Sequence, residues 1–326
     1  MIAAFLLAAV TIAFPKPGML LPYLERCHLR GATSGGETNL VIQGRNVPVY
    51  RTGAWVAMVD CVEGSNVVDV AGTNLVFFVG RKPRPKPVPA GTNLPAAKVY
   101  PKLPYAGDAP RPQPWEIDPR PQPSELTVVL DPGHGGDDTG ALSPHGIPEK
   151  DANLRLAKAV RTELVRLGYQ VILTRDDDRF VKLYDRPKIA HAVRAAAFVS
   201  IHHNAPPADR DPHEFRYHAV YAWNAIGLRL AAAINRRLAE TIGPEVADNG
   251  VPQANFAVTR SPEIPSCLVE TDFITTPEGE EACWDPARRQ KVARAIAAGI
   301  ADWQRGGRKD LPQRKLQNRG RDVPVA

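Results

Sequence analysis

Thirteen prolines fall within residues 81–123, which open with Arg81-Lys82-Pro83-Arg84-Pro85-Lys86-Pro87. Each proline locks φ, removes an N–H donor and pushes the residue before it out of the helical region. No sheet or helix can be built at that density, so the stretch reads as an extended, semi-rigid linker. It divides a chain of 326 residues, too long for one ordinary core, into two parts that each need a core of their own. With 44% hydrophobic and 23% charged residues, both parts are expected to fold rather than stay disordered.

Ahead of the linker, residues 15–80 read as a small all-β unit. Val41-Ile42, Val47-Pro48-Val49-Tyr50, Gly53 to Val59, Val67 to Val70 and Leu75 to Val79 are β-branched or aromatic runs. Gly-Asn turns at 43–46 and 63–66 separate them, the pattern of a small β-sandwich. The first fourteen residues, Met1 to Phe14, carry no charged side chain and are almost wholly apolar. That run suits the core of an export signal and is too short for a typical transmembrane helix. Thr11 and Ala13 offer a tolerable cleavage site, although no Lys or Arg precedes the run. The expectation is a signal peptide and a periplasmic or extracellular protein, with a buried N-terminal strand or helix as the competing reading.

The formal net charge is +6, from 41 basic against 35 acidic residues, and much of the excess lies in the polar tail 305–326. That tail reads as disordered and basic. No basic stripe interleaved with aromatics is present, so a nucleic-acid partner is not expected. Four cysteines, Cys27, Cys61, Cys267 and Cys283, form no metal-type or redox-type close pair. In an exported chain, Cys27–Cys61 and Cys267–Cys283 would keep each bond within one part. Four free thiols are the alternative.

After the linker the rhythm changes. Strand-like runs at 126–130, 171–173, 197–201, 217–223 and 267–269 alternate with helical periodicities at 153–167, 183–195, 228–238 and 286–303. Such alternation predicts an α/β fold over residues 124–304: a mostly parallel, twisted sheet of about six strands with helices on both faces. Sites in open sheets of this kind lie beyond the carboxyl ends of the strands. There the chain carries Asp131-Pro132-Gly133-His134-Gly135-Gly136, then His202-His203-Asn204, then Glu270, with Glu149 in the loop before the first helix. Two imidazoles and one carboxylate make a catalytic zinc set that leaves a position open for water. A second carboxylate is then needed to carry the proton.

Residues 126–303 resemble the family-3 N-acetylmuramoyl-L-alanine amidases. The likeness rests on Leu130 to Gly136, Glu149-Lys150-Asp151, Leu173-Thr174-Arg175, Ser200 to Ala205, Asp248 to Val251 and Leu268-Val269-Glu270, in the family's order and at compatible spacings. It implies that His134, Glu149 and His202 bind Zn2+ and that Glu270 is the catalytic acid/base. The family motif takes the first histidine after Ser-Ile, and alternation puts His202 on the face of Ser200 and Phe198 while His203 points away. The implied substrate is peptidoglycan, cut between N-acetylmuramic acid and L-alanine during wall turnover or cell separation. The enzyme would be a monomer without an integral membrane span. The resemblance also assigns Arg175, Arg186 and Asn204 to substrate binding. Structural ion pairs (for the arginines) and a turn (for Asn204) are the alternatives. The N-terminal unit, weakly similar to immunoglobulin-like modules of extracellular carbohydrate-active enzymes, would be a spacer or a wall-binding module.

Some relatives carry a long insertion after the zinc-histidine strand, where a helix plugs the site. Here only Ala205 to Arg216 intervene, so an open site is expected. His191 replaces a usual asparagine, and a usual acidic residue before Phe198 is absent. A zinc peptidase or deacetylase, or a wall-binding protein that has lost catalysis, are the rival readings.

Overall fold

The computed structural model describes residues 10–83 and 126–306. Most of the expected linker, residues 1–9 of the signal-like run and the tail from 307 lie outside the described residues.

Eight strands precede the linker: β1 (Val10–Phe14), β2 (Leu20–Leu21), β3 (Arg26–Thr33), β4 (Asn39–Ile42), β5 (Arg45–Pro48), β6 (Ala54–Asp60), β7 (Gly64–Val70) and β8 (Thr73–Val79). They form a three-stranded sheet, β1-β3-β6, and a five-stranded sheet, β2-β8-β7-β4-β5. Leu29, Ile42, Trp55, Leu75 and Phe77 fill one shared core. Strand β7 shows the period-2 logic: Asn66, Val68 and Val70 are buried, Ser65, Val67 and Asp69 exposed. Each fully buried apolar side chain stabilises such a core by about 1.5–3 kcal/mol.

Two features of this unit add to the sequence reading. The signal-like run overlaps β1, which pairs antiparallel with β3, and Ala13 at the expected cleavage site is buried. Within β1, Ala13 is buried, Thr11 is exposed, and Val10, Ile12 and Phe14 are half-buried. Strand β3 was not anticipated, because Arg26, His28 and Arg30 break its apolar pattern. Its polar face is nevertheless covered: the Arg30 guanidinium lies 4.6 Å from the Phe14 ring centroid, and His28 and Arg30 are buried.

All four cysteines are free and buried. Cys27 and Cys61 face each other within hydrogen-bonding reach. Cys267 lies in the main core of the C-terminal part, whereas Cys283 packs with Ala152 and Ile274 elsewhere. The second expected pair is therefore not brought together.

The C-terminal part is the expected α/β fold. Strands β9 (Thr127–Pro132), β10 (Gln170–Leu173), β11 (Ala197–Asn204), β12 (Tyr217–Tyr221), β13 (Ala247–Asp248) and β14 (Ser266–Phe273) form one sheet in the order β10-β9-β11-β14-β12-β13. Only the β12–β14 pair is antiparallel. Helices α1 (Glu149–Arg166), α3 (Ala225–Ile242) and α5 (Pro286–Arg305) cover one face through Leu156, Val160, Leu230, Ile234 and Ile296. The other face is covered by the short α2 (Arg186–Ala192) together with Val258 and Ile264. Helix α4 (Pro277–Trp284) is not evident in the sequence: three glutamates among its eight residues leave little apolar periodicity. Among the described residues no helix is long and apolar enough to cross a membrane.

Candidate metal centre

Strands β9, β11 and β14 are adjacent in the middle of the sheet, so the residues at their carboxyl ends converge. His134 lies two residues beyond the end of β9, His202 lies near the end of β11, and Glu270 is the register partner of His202 on β14. Glu149 is the first residue of α1 rather than part of the loop before it. Its carboxylate thus sits at a helix N-terminus, where the peptide dipoles favour negative charge.

The ligand atoms of His134, Glu149 and His202 all lie within 4.8 Å of one another. His134 Nε2 is 3.2 Å from Glu149 Oε2, and His202 Nδ1 is 3.0 Å from Glu149 Oε1. Their supports are specific. His134 Nδ1 donates to Asp138 Oδ1 at 2.9 Å, which turns its other nitrogen toward the centre, as an outer partner does for a metal-binding histidine. Glu149 accepts from the Ala141 N–H at 3.0 Å, Asn153 Nδ2 at 3.0 Å and the His203 N–H at 3.2 Å. His203 Nδ1 in turn donates to Asn153 Oδ1 at 2.8 Å. His203 therefore supports the ligand set from behind, on the opposite side of the strand from His202. Burial pulls its pKa down to about 4, so it stays neutral.

Close approach shapes the centre. A Cβ on Gly133 would collide with the His202 ring, and one on Gly140 would meet both Glu149 and His134. His134 itself adopts φ 62°, a left-handed conformation that costs a non-glycine residue energy and is commonest at functional sites. Burial opposes charge on His134, but the Glu149 and Asp138 carboxylates prevail and push its pKa up to about 9. Glu149 is likewise held well below the usual carboxylate range, against its burial, by His134 and His202. Two imidazoles turned onto one carboxylate whose charge is retained are a donor set that a zinc-sized dication fits, the ion taking the place of the imidazole protons.

Glu270 has a different setting. Its Oε2 is buried without a hydrogen-bond partner. Burial, then the Glu149 charge, push its pKa well above the usual range. A carboxyl so placed is suited to accept and return a proton.

The two arginines expected to touch substrate do not face the cleft. Arg175 is 0% and Arg186 4% exposed. Arg175 donates to the carbonyls of Pro132, Gly133, Lys150 and Asp177 at 2.8–3.0 Å, fastening the His134 loop to the start of α1. Arg186 pairs with buried Asp131 at 2.8 Å and donates to the His134 carbonyl at 2.8 Å. For Arg186 the structural ion pair replaces the substrate-binding expectation; for Arg175 a cage of carbonyls does. Asn204 is half-buried at the cleft edge and its Oδ1 accepts the Ala205 N–H at 2.8 Å, a turn-forming bond. Its side chain also reaches the Tyr221 phenol.

Asn153 and Asp138 were missed from sequence, although each stands four residues beyond a candidate ligand, Glu149 and His134. For Asn153 on α1 that spacing is one helical turn. His191 contacts Ser261 and His218 is buried beside Asp248, both outside the centre.

Comparison with known proteins now bears on the whole arrangement. Residues 128–302 match the profile of a family described as N-acetylmuramoyl-L-alanine amidase. The chain is 36% identical over 217 residues to the N-acetylmuramoyl-L-alanine amidase AmiA of Escherichia coli (strain K12), covering 54% of this chain and 75% of that protein. Among solved structures it resembles the amidase AmiC2 of Nostoc punctiforme, with TM-score 0.52, 38% identity and coverage of 56% of this chain and 98% of that one. An N-acetylmuramoyl-L-alanine amidase from Clostridium difficile 630 gives TM-score 0.53 at 30% identity, with coverage of 56% and 98%. The chain belongs to the N-acetylmuramoyl-L-alanine amidase family.

Proposed function

We propose that this chain is a zinc-dependent amidase that hydrolyses the bond between N-acetylmuramic acid and L-alanine in peptidoglycan, with His134, Glu149 and His202 as metal ligands and Glu270 as acid/base. The observation that carries this reading is the pairing of two unlike carboxylates, one at the start of α1 and one on β14. Glu149 is clamped by two histidines and kept ionised, while Glu270 is left without a partner beside them.

A zinc ion held there would supply a Lewis acid for the amide carbonyl and an acidified water. The protein's own groups do the rest. Glu270 takes the proton of the attacking water as its oxygen bonds to the carbonyl carbon. As the C–N bond breaks, Glu270 returns that proton to the leaving L-alanine nitrogen, so the carboxyl group ends as it began. Asp138, Asn153 and His203 hold the ligands in orientation throughout. Asn204, at the end of β11, would hydrogen-bond the substrate near the reacting amide.

The substrate lies outside the cytoplasmic membrane, so we place the enzyme in the periplasm or beyond. The two N-terminal sheets with one core support a small all-β module there. Mass spectrometry of products released from intact sacculi tests the activity. Free stem peptides beginning with L-alanine are expected with zinc and none after chelation. Release of other fragments would point to a peptidase or deacetylase instead.

The ligand assignment also fixes a pH trend. Without metal, His134 holds a proton up to about pH 9, and metal binding must displace it. Zinc affinity is expected to rise about tenfold per pH unit for each proton displaced and to level off above that pKa. Competition titration against a chromophoric chelator reads the slope. An affinity that does not change with pH would remove His134 from the ligand set.

A further inference from the structure

Strand β1 covers only residues 30–33 of β3, which leaves the β3 edge at 26–29 open on that side. The segment that fills it comes from the C-terminal part. Residues 205–216 leave β11 directly after Asn204, and there the His28 N–H donates to the Ala208 carbonyl at 2.9 Å. The His28 ring donates through Nδ1 to the Arg210 carbonyl at 3.1 Å. Ala208 packs against the N-terminal core. Burial and the adjacent Arg30 pull the His28 pKa down to about 3, so this neutral donor persists at any working pH.

A second grip falls on α4 and on the turn before α1. Tyr50 donates to Glu281 on α4 at 3.0 Å, and Arg51 forms an ion pair with the same carboxylate. The neighbouring Thr52 carbonyl is 3.2 Å from His145 Nε2. His145 Nδ1 is 2.9 Å from Glu280, and Ser143 donates to that glutamate at 2.9 Å. His145 belongs to the tight turn 143–147, which leads straight into Glu149. One loop thus begins at the His202 strand, the other ends at Glu149, and both are fastened to the same β unit.

We propose that the N-terminal β module is a positioning element of the metal centre, docked in cis so that it holds loops 205–216 and 143–148 and, through them, His202 and Glu149. Nothing in the family match covers this part of the chain, since that match spans residues 128–302. The role makes the module part of the catalytic unit rather than a tether. Supporting contacts of this kind typically change metal affinity by about 10–100-fold when lost.

The test uses the full chain, with loop order and zinc affinity as readouts, so it stands apart from the amidase reading. Ala208→Arg places a long cation where the loop meets the module, on a residue outside both the ligand set and the C-terminal core. Hydrogen exchange in 205–216 is expected to speed up, and zinc affinity to fall about tenfold. Exchange in β9 and β11 should not change. Arg51→Glu sets a like charge against Glu281 and should loosen 143–148 with a smaller loss of about fivefold, the scale of an exposed pair. Adding Glu281→Arg to Arg51→Glu should restore both readouts, a recovery that general damage to the fold would not show. Unchanged exchange in both loops, loosened loops with unchanged zinc affinity, or failure of the reversed pair to recover would each overturn the proposal.

Discussion

Replacing Glu270 with glutamine is expected to lower kcat by about 10³-fold, within the range that a positioned acid/base contributes, while zinc affinity stays as it was. Glutamine keeps the shape of the side chain and cannot carry the proton from water to the leaving nitrogen. Glu270 is not one of the three clustered residues that could hold a metal, so the proposed ion should still be held. The same substitution is expected to leave the fold as stable as before, or more so. A buried carboxylate oxygen without a partner costs desolvation energy in the native state, and glutamine removes the charge that incurs it. The expected pattern is loss of activity, retention of metal and a thermal midpoint that does not fall. Single-turnover kinetics on a soluble muramyl peptide, zinc titration and calorimetry on one sample would check all three. A variant that turns over within tenfold of the parent would sink the assignment of Glu270.

That division between cost and function explains which parts of the site could be read from the chain alone. His134, Glu149, His202 and Glu270 stand at strand ends or at a helix start. Alternation and the rule that sites form beyond carboxyl ends locate them without coordinates. Arg175 and Arg186 are marked by the family resemblance, yet their destination is not readable from the chain. A guanidinium that cages carbonyls below the loop and one that reaches substrate above it look the same in one dimension. The deciding facts are burial and the positions of the Pro132, Gly133 and His134 carbonyls, which depend on how the loop folds back. Strand β3 escaped because its polar residues are buried by contacts from β1 and from loop 205–216, almost two hundred residues away. Periodicity reports a strand's own two faces and carries no information about a neighbour that distant.

Arg186→Ala should be the most destabilising single change near the centre, by about 3–5 kcal/mol, the cost of leaving one partner of a buried pair without the other. Asp131 is fully buried. It accepts from Thr174 at 2.6 Å and from Ser200 at 2.7 Å, but Arg186 is the one cation paired with it among the described residues. Removing the guanidinium leaves those two hydroxyls to satisfy a charge that no water can reach. The carbonyls of Val181 and His134 lose a donor as well, and Pro132 keeps only the one from Arg175. For a domain whose total stability is about 5–15 kcal/mol, the loss is a large part of the whole. Arg186→Lys should recover only part of it, because an ammonium keeps the charge and lacks the planar fork that reaches Asp131 and the His134 carbonyl together. Guanidinium unfolding of the parent and both variants gives the comparison. The double change Arg186→Met with Asp131→Leu sharpens it: if the harm lies in an orphaned charge rather than in lost packing, removing both charges should be less destabilising than removing one. Zinc affinity should still fall in that double variant, since the His134 carbonyl would have lost the donor that holds its loop. Stability and metal binding would then separate, and the buried pair would be identified as a device for placing His134 more than for holding the sheet together.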